Sequence, residues 1–262
     1  MRAREVTLTG VADVPPIAAG DDLASIIAGC LDRQGVGLID GDVLVVAQKI
    51  VSKAEGRFVD LAAVTPSAEA RTLAAEVNKD PRVVELILRE SVEVVAKRPG
   101  VVIVAHRLGY VMANAGIDRS NVTSNPEHER VLLLPENPDN SCAFLRAQLV
   151  EKFGARIGVV MSDSFGRPWR LGVTGVALGA AGLPALRDCI GECDLYGREL
   201  EVTQIAVGDE IASAAALVMG EADEGVPVVV VRGLSWPRDD AGGGAATLVR
   251  PPEEDLFRRG SL

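Results

Sequence analysis

Three polar segments sit directly behind short apolar runs, where the end of a rigid strand can aim side chains into a cleft. In the first, the run closing at Ala113 gives way to Asn114-Ala115-Gly116-Ile117-Asp118-Arg119-Ser120-Asn121, which presents the Asp118 carboxylate and the Asn121 amide three residues apart. In the second, Ile157 to Met161 leads into Ser162-Asp163-Ser164 and then Arg167 and Arg170, a carboxylate and a hydroxyl beside two guanidinium groups. Oxygen ligands next to cations suit Mg or Mn bound to phosphate. The third, Gln48 to Arg57, comes after Val43 to Ala47 and offers Lys53 as a charge-neutralising phosphate contact. An acidic segment around Glu221 closes a helix-like stretch and is positioned to complete a metal site. Each also has a plain structural reading: an Asx turn at Asp118, a loop ion pair at Asp163, and solvated loops at Lys53 and Glu221. Two strand-end aspartates together favour one shared hard cation.

Several other chemistries are excluded. No Gly-Lys dipeptide occurs, so there is no P-loop, and no Gly-x-Gly-x-x-Gly follows a strand, so the dinucleotide fingerprint is missing. Gly-x-Ser-x-Gly is absent, and His106 and His128 are the only histidines, which leaves a Ser-His-Asp hydrolase or a His-rich metal site without support. The net charge of -10 argues against nucleic acid, which needs Lys and Arg gathered on one face. Cys30, Cys142, Cys189 and Cys193 match no zinc spacing and read as reduced thiols. No apolar run reaches the length of a membrane span and no signal region opens the chain, so no membrane partner and a cytoplasmic location are expected.

The elements that must carry these residues are legible from periodicity and punctuation. Aromatics are 3% of the 262 residues, which predicts an aliphatic interior in one domain or two smaller units. Leu23, Ile26, Ile27 and Leu31 predict a helix started by Asp21-Asp22 and stopped by Gly35 and Gly37. Pro66 and Pro81 are each expected at the first position of a helix. Val92 to Ala96, Val101 to Ala105 and Tyr110 to Ala113 read as an antiparallel meander. A helix is expected over 141–153 and another over 209–219. Strands are expected at 157–161, 200–207 and 228–231, with a Gly/Ala-rich stretch at 173–183 and a partly flexible tail from 236 to 262. Strands do not alternate regularly with helices, so the fold class expected is α+β, with mixed, largely antiparallel sheets, rather than a doubly wound parallel sheet.

Taken in order, these segments resemble the F420-0:γ-glutamyl ligase family over nearly the whole chain. The matching elements are Pro15 to Leu23, Val51-Ser52-Lys53-Ala54-Glu55-Gly56-Arg57, Asn114-Ala115-Gly116-Ile117-Asp118, Asp194 to Thr203, and Val229-Val230-Val231-Arg232-Gly233-Leu234. Any one is weak, and the ordered set is specific. The resemblance implies a homodimer with an unusual ligase fold spanning 1–262, and an enzyme that uses GTP to join L-glutamate to the carboxylate of coenzyme F420-0, and successive γ-linked glutamates, through an acyl phosphate. It implies Mg or Mn at the phosphates, with a monovalent cation as an option. The metal ligands it carries over are Asp118, Asp163 and Ser164, with Glu221 added, and the GTP contacts are Val14, Pro15, Pro16, Ile17, Gln48, Lys53 and Asn121. Lys53, Arg167 and Arg170 are the residues expected to stabilise charge during transfer. Two other readings of the same residues stay open: a metal-dependent nucleotide phosphohydrolase and a non-catalytic deazaflavin-binding subunit.

Overall fold

The computed structural model describes residues 5–120, 129–236 and 242–255. Asn121 and His128 lie outside them, as do 237–241 and 256–262 of the expected tail.

The first half of the chain contains β1 (Thr7–Gly10), α1 (Leu23–Gln34), β2 (Val43–Ala47), α2 (Gln48–Ala54), β3 (Phe58–Asp60), α3 (Ala68–Val77), α4 (Pro81–Arg89), β4 (Ser91–Arg98), β5 (Val101–His106) and β6 (Val111–Ala113). The second half adds β7 (Arg130–Leu132), α5 (Pro138–Phe153), β8 (Gly158–Arg167), β9 (Arg170–Ala181), β10 (Arg187–Asp188), β11 (Gln204–Ile205), α6 (Val207–Met219) and β12 (Val228–Arg232). The class is α+β, as expected. A five-stranded sheet has the order β1-β12-β2-β8-β9, and only its β2–β8 pair is parallel.

The apolar runs of β2, β8 and β12 are continuous because both faces of this sheet are covered. Leu44, Val46, Val159, Met161, Val228 and Val230 pack with α1 and α5. Their neighbours Val43, Val45, Val160, Val229 and Val231 pack with α6 on the other side. A separate core gathers α3, α4 and the β4–β6 meander around Leu73, Val84, Ile87, Val102 and Val104. Arg57 ties the two together, donating to the Leu134 carbonyl of the first at 2.8 Å and pairing at 3.6 Å with Glu90, the C-cap of α4.

Glycines in β9 let helix backbones lie directly on the sheet. A Cβ at Gly175 would stand 2.4 Å from the Ala212 carbonyl oxygen of α6, and one at Gly179 the same distance from the Pro138 oxygen of α5. Neither neighbour is a side chain that could swing aside. Gly179→Ala is therefore expected to lower unfolding stability by about 3 kcal/mol, as overpacking does, which urea denaturation would read as a lowered midpoint with unchanged slope.

Several boundaries differ from the sequence-based expectation. Residues 48–54 are helical and not a loop, because Ile50 and Val51 enter the core while Ser52 donates to Gln48 across one turn at 2.8 Å. Pro66 precedes its helix: Ser67 is the cap, accepting from Ala70 N at 3.1 Å. The α5 helix begins earlier than residue 141, with Asn137 as cap and Pro138 in the first turn. The α6 helix begins before Asp209 because that carboxylate is committed to Ala177 N of β9, at 2.9 Å, and does not cap. The strand expected over 200–207 is reduced to Gln204–Ile205: Leu200 and Thr203 keep backbone hydrogen bonds to residues 189–192 without a continuous ladder, Val202 is 84% exposed, and Val207 begins α6. Within the tail, Asp139 accepts from Ala245 N at 2.7 Å, and Ala245 is buried. Among the described residues no helix is long and apolar enough to cross a membrane.

Candidate functional site

The parallel pairing of β2 and β8 sets Ala47 opposite Ser162. The segments immediately C-terminal to these two residues are thereby brought to one end of the sheet: α2 after Ala47, and Asp163-Ser164 after Ser162. A third contribution comes from the chain beyond β6, which reverses through left-handed backbone at Asn114, Ala115 and Gly116 (φ 53°, 54° and 64°). Left-handed backbone is costly for Ala115, a non-glycine residue, and is held here by burial of that side chain. Asp118 then forms a two-way backbone bridge with Leu132, both hydrogen bonds being 2.9 Å, so its carboxylate springs from a fixed point.

Lys49 of α2 reaches that carboxylate at 2.7 Å and donates to Ser120 Oγ at 2.8 Å. The other Asp118 oxygen accepts from Ser120 N and Oγ at 2.9 and 2.7 Å. Asp163 is held up to about 6 from the usual 3.8 by burial first, with the neighbouring charges of Asp118 and Glu221 adding to it and Lys49 opposing it. Ser164 donates to both oxygens of Glu221, at 2.6 and 2.8 Å. Lys53 is half-buried and its pKa is lowered, by burial first and then by Lys49, while Asp118 pulls the other way.

The four residues expected to bind metal thus meet in one electrostatic neighbourhood. Their hard oxygen donors, one a carboxylate that burial first and its acidic neighbours second keep from ionising easily, fit a divalent cation in chemistry. In the structure Asp118 is paired with Lys49 and Glu221 with Ser164, and among the described residues no three His, Cys, Asp or Glu side chains converge as a ready-made cage. The expected nucleotide contacts are partly gathered. Lys53 faces this cluster, Gln48 is buried and bonded within α2, Ile17 is in the core, and Pro15 and Pro16 are exposed. Arg167 and Arg170 are not brought in: they pair in register near the tip of the β8–β9 hairpin and are exposed.

Sequence reasoning assigned no role to Lys49. Its signal was the spacing to Lys53, one turn apart on a helix, which is visible only once 48–54 is read as helical.

The sequence profile of the family described as F420-0:Gamma-glutamyl ligase matches residues 12–233. The chain belongs to this family. It is 46% identical over 253 residues to the Coenzyme F420:L-glutamate ligase of Methanothermobacter thermautotrophicus, covering 97% of this chain and 99% of that one. It is 48% identical to the protein of the same name from Methanopyrus kandleri, over 92% of this chain and 93% of the relative. The Archaeoglobus fulgidus protein of that name is 45% identical, over 95% of each. The F420-0:gamma-glutamyl ligase match takes in Asp118, Asp163, Ser164, Glu221, Lys49 and Lys53, so every residue of the cluster lies in the region shared with the family.

Proposed function

We propose that this chain is a GTP-dependent ligase that joins L-glutamate to the carboxylate of coenzyme F420-0, and then further glutamates in γ-linkage. The observation that carries the reading is the cluster of Asp118, Asp163, Ser164 and Glu221 with Lys49 and Lys53 at the end of the β2–β8 pair, in a chain of this family. Opposed carboxylates and ammonium groups in a partly desolvated spot suit a phosphoryl group and its cation.

A carboxylate is a poor electrophile, so the reaction needs an activated acyl group. The F420-0 carboxylate oxygen attacks the γ-phosphorus and the bond to GDP breaks, leaving an acyl phosphate. The glutamate amine then attacks the acyl carbon, the C–N bond forms, phosphate leaves with the C–O electron pair, and the amine proton is lost. Asp118, Asp163, Ser164 and Glu221 are the residues that would hold Mg or Mn, which supplies charge neutralisation at the phosphates. Lys49 and Lys53 add fixed positive charge, and Lys53, its charge disfavoured by burial, gains most from an arriving anion. No protein nucleophile is required. Arg167 and Arg170 would act only if the hairpin tip meets a bound substrate.

Carboxylate labelled with 18O tests the acyl phosphate. One labelled oxygen is expected in the phosphate released with the first amide, which is formed from the labelled F420-0 carboxylate, and phosphate free of label contradicts the intermediate.

We assign the active form as a homodimer. Supporting this, Trp169 and Leu171 on the β8–β9 tip are 81% and 99% exposed, and Leu195 and Tyr196 nearby in sequence to β10 are 89% and 95% exposed. Leu171→Asp is expected to convert the protein to a monomer by light scattering with an unchanged far-UV circular dichroism spectrum and a lowered Tm; an unchanged dimer would remove the tip from the interface.

A further inference from the structure

We propose that the polar cavity beside Asp118 seats the acceptor amino acid, with Lys79 and Arg119 receiving a carboxylate of L-glutamate. The inference rests on the ligase reading above and adds a place for one of its substrates.

The cavity measures about 470 Å³, and its walls include Lys79, Asp80, Asn114, Asp118, Arg119 and Ser120. It lies between the end of α3, closed by Asn78 in left-handed conformation, and the turn that carries Asp118. Lys79 comes directly after that cap and its pKa is lowered, by burial first and then by the positive charge of Arg119. Lys79 is thus partly desolvated beside a guanidinium that already holds Glu129 at 2.6 Å, and an arriving anion relieves the burial of its charge. The acids that line the cavity, and the one that holds Arg119, are each engaged by another cation: Asp118 is taken by Lys49 at 2.7 Å. Asp80 is taken by Arg82 at 2.6 Å, and Glu129 by Arg82 and Arg119 at 3.0 and 2.6 Å. Lys79 itself makes no ion pair or side-chain hydrogen bond with a described residue.

Wall chemistry selects among the substrates. Most of the lining residues are polar or charged, with Val83, Gly100 and Ile117 as the exceptions, which suits a small charged molecule better than a tricyclic deazaflavin or a purine. A second cavity of about 390 Å³, walled by Leu23, Val46, Val51, Leu145 and Met161, has the apolar character that a ring requires. Triphosphate has its own cations in Lys49 and Lys53. Asp118 belongs to both the polar cavity and the cluster with Lys49 and Asp163. A glutamate anchored by a carboxylate at Lys79 and Arg119 therefore has room to extend its amine toward Asp118, where the activated acyl group would form.

Lys79→Met is expected to raise the KM for L-glutamate about 10- to 100-fold, the worth of one charged hydrogen bond, with the KM values for GTP and F420-0 unchanged. Lys79→Arg should recover most of the loss, and Arg119→Gln should repeat it if Lys79→Met folds poorly. Equilibrium dialysis of labelled L-glutamate should show binding to the wild-type protein that Lys79→Met weakens. Wild-type ligation with an unaltered glutamate KM in the variants overturns the cavity assignment alone, as does a raised KM for F420-0 or GTP instead. Absence of wild-type ligation removes the ligase reading, and dialysis that detects no glutamate on the wild-type protein overturns the cavity.

Discussion

Asp118→Asn is expected to lower glutamyl transfer by about 100- to 1,000-fold while leaving the fold in place. Asparagine keeps an oxygen that can accept from Ser120 N and Oγ, and the backbone bridge to Leu132 involves no side chain. The substitution removes the negative charge that faces Lys49 at 2.7 Å and adds to the field at Asp163. Loss of that charge takes one anionic ligand from the cation site and leaves Lys49 without its acid. A Tm within a few degrees of wild type, together with the collapse in product formation, is the expected pair of results. Full turnover in this variant would take Asp118 out of the chemistry.

Asp163→Asn is expected to stabilise the cation-free protein at pH 8 and to abolish its stabilisation by Mn. Burial first, then Asp118 and Glu221, hold the Asp163 carboxyl at about 6, above its usual 3.8. A raised carboxylate pKa means the folded state binds the proton more tightly than the unfolded state. Stability is therefore full below the unfolded value, declines as pH rises between the two, and is lowest above about 6. Asparagine cannot ionise, so at pH 8 it avoids a penalty of roughly 1–3 kcal/mol, while at pH 3 to 4 it gains nothing. In the wild type a divalent cation relieves the same penalty, and protons compete with it: affinity for Mn should fall as pH drops through about 6. Thermal melts at pH 8, with and without Mn, read both effects. Equal melting temperatures for the two metal-free proteins at that pH would contradict the account.

Much of the scaffold was legible because it obeys periodicity and punctuation. Asp22 and Gly35 bound α1 as expected, accepting from Ser25 N and adopting left-handed backbone respectively. The meander β4–β5–β6 and the strands β2 and β12 also match their apolar runs. The β8–β9 hairpin was less legible. Beyond Met161 it is a polar arm with Asp163 partly buried and Ser164 exposed, so no apolar alternation marks the strand, and only the pairing with β9 defines it. Helix α2 was hidden by its lysines for a related reason: Ile50 and Val51 are the only strongly apolar side chains in it.

The candidate site was legible in its members and not in its pairings. Asp118 and Asp163 stood out as carboxylates behind apolar runs. They are brought into one field by the parallel neighbouring of β2 and β8 together with the left-handed turn at 114–116, and neither leaves a local mark in sequence. The same topology selects Lys49, a residue without any motif of its own, as the partner of Asp118. Arg167 and Arg170 were close to Asp163 in sequence, yet an extended strand carries them away along its length.

The most direct measurement is mass spectrometry of coenzyme F420-0 incubated with the protein, GTP, Mn and L-glutamate, beside the Asp118→Asn protein. The account predicts product heavier by whole glutamyl units, GDP released in step with them, and neither in the variant. GTP consumed without glutamyl product would contradict it in favour of a phosphohydrolase, and F420-0 bound but unchanged with GTP intact would contradict it in favour of a binding subunit.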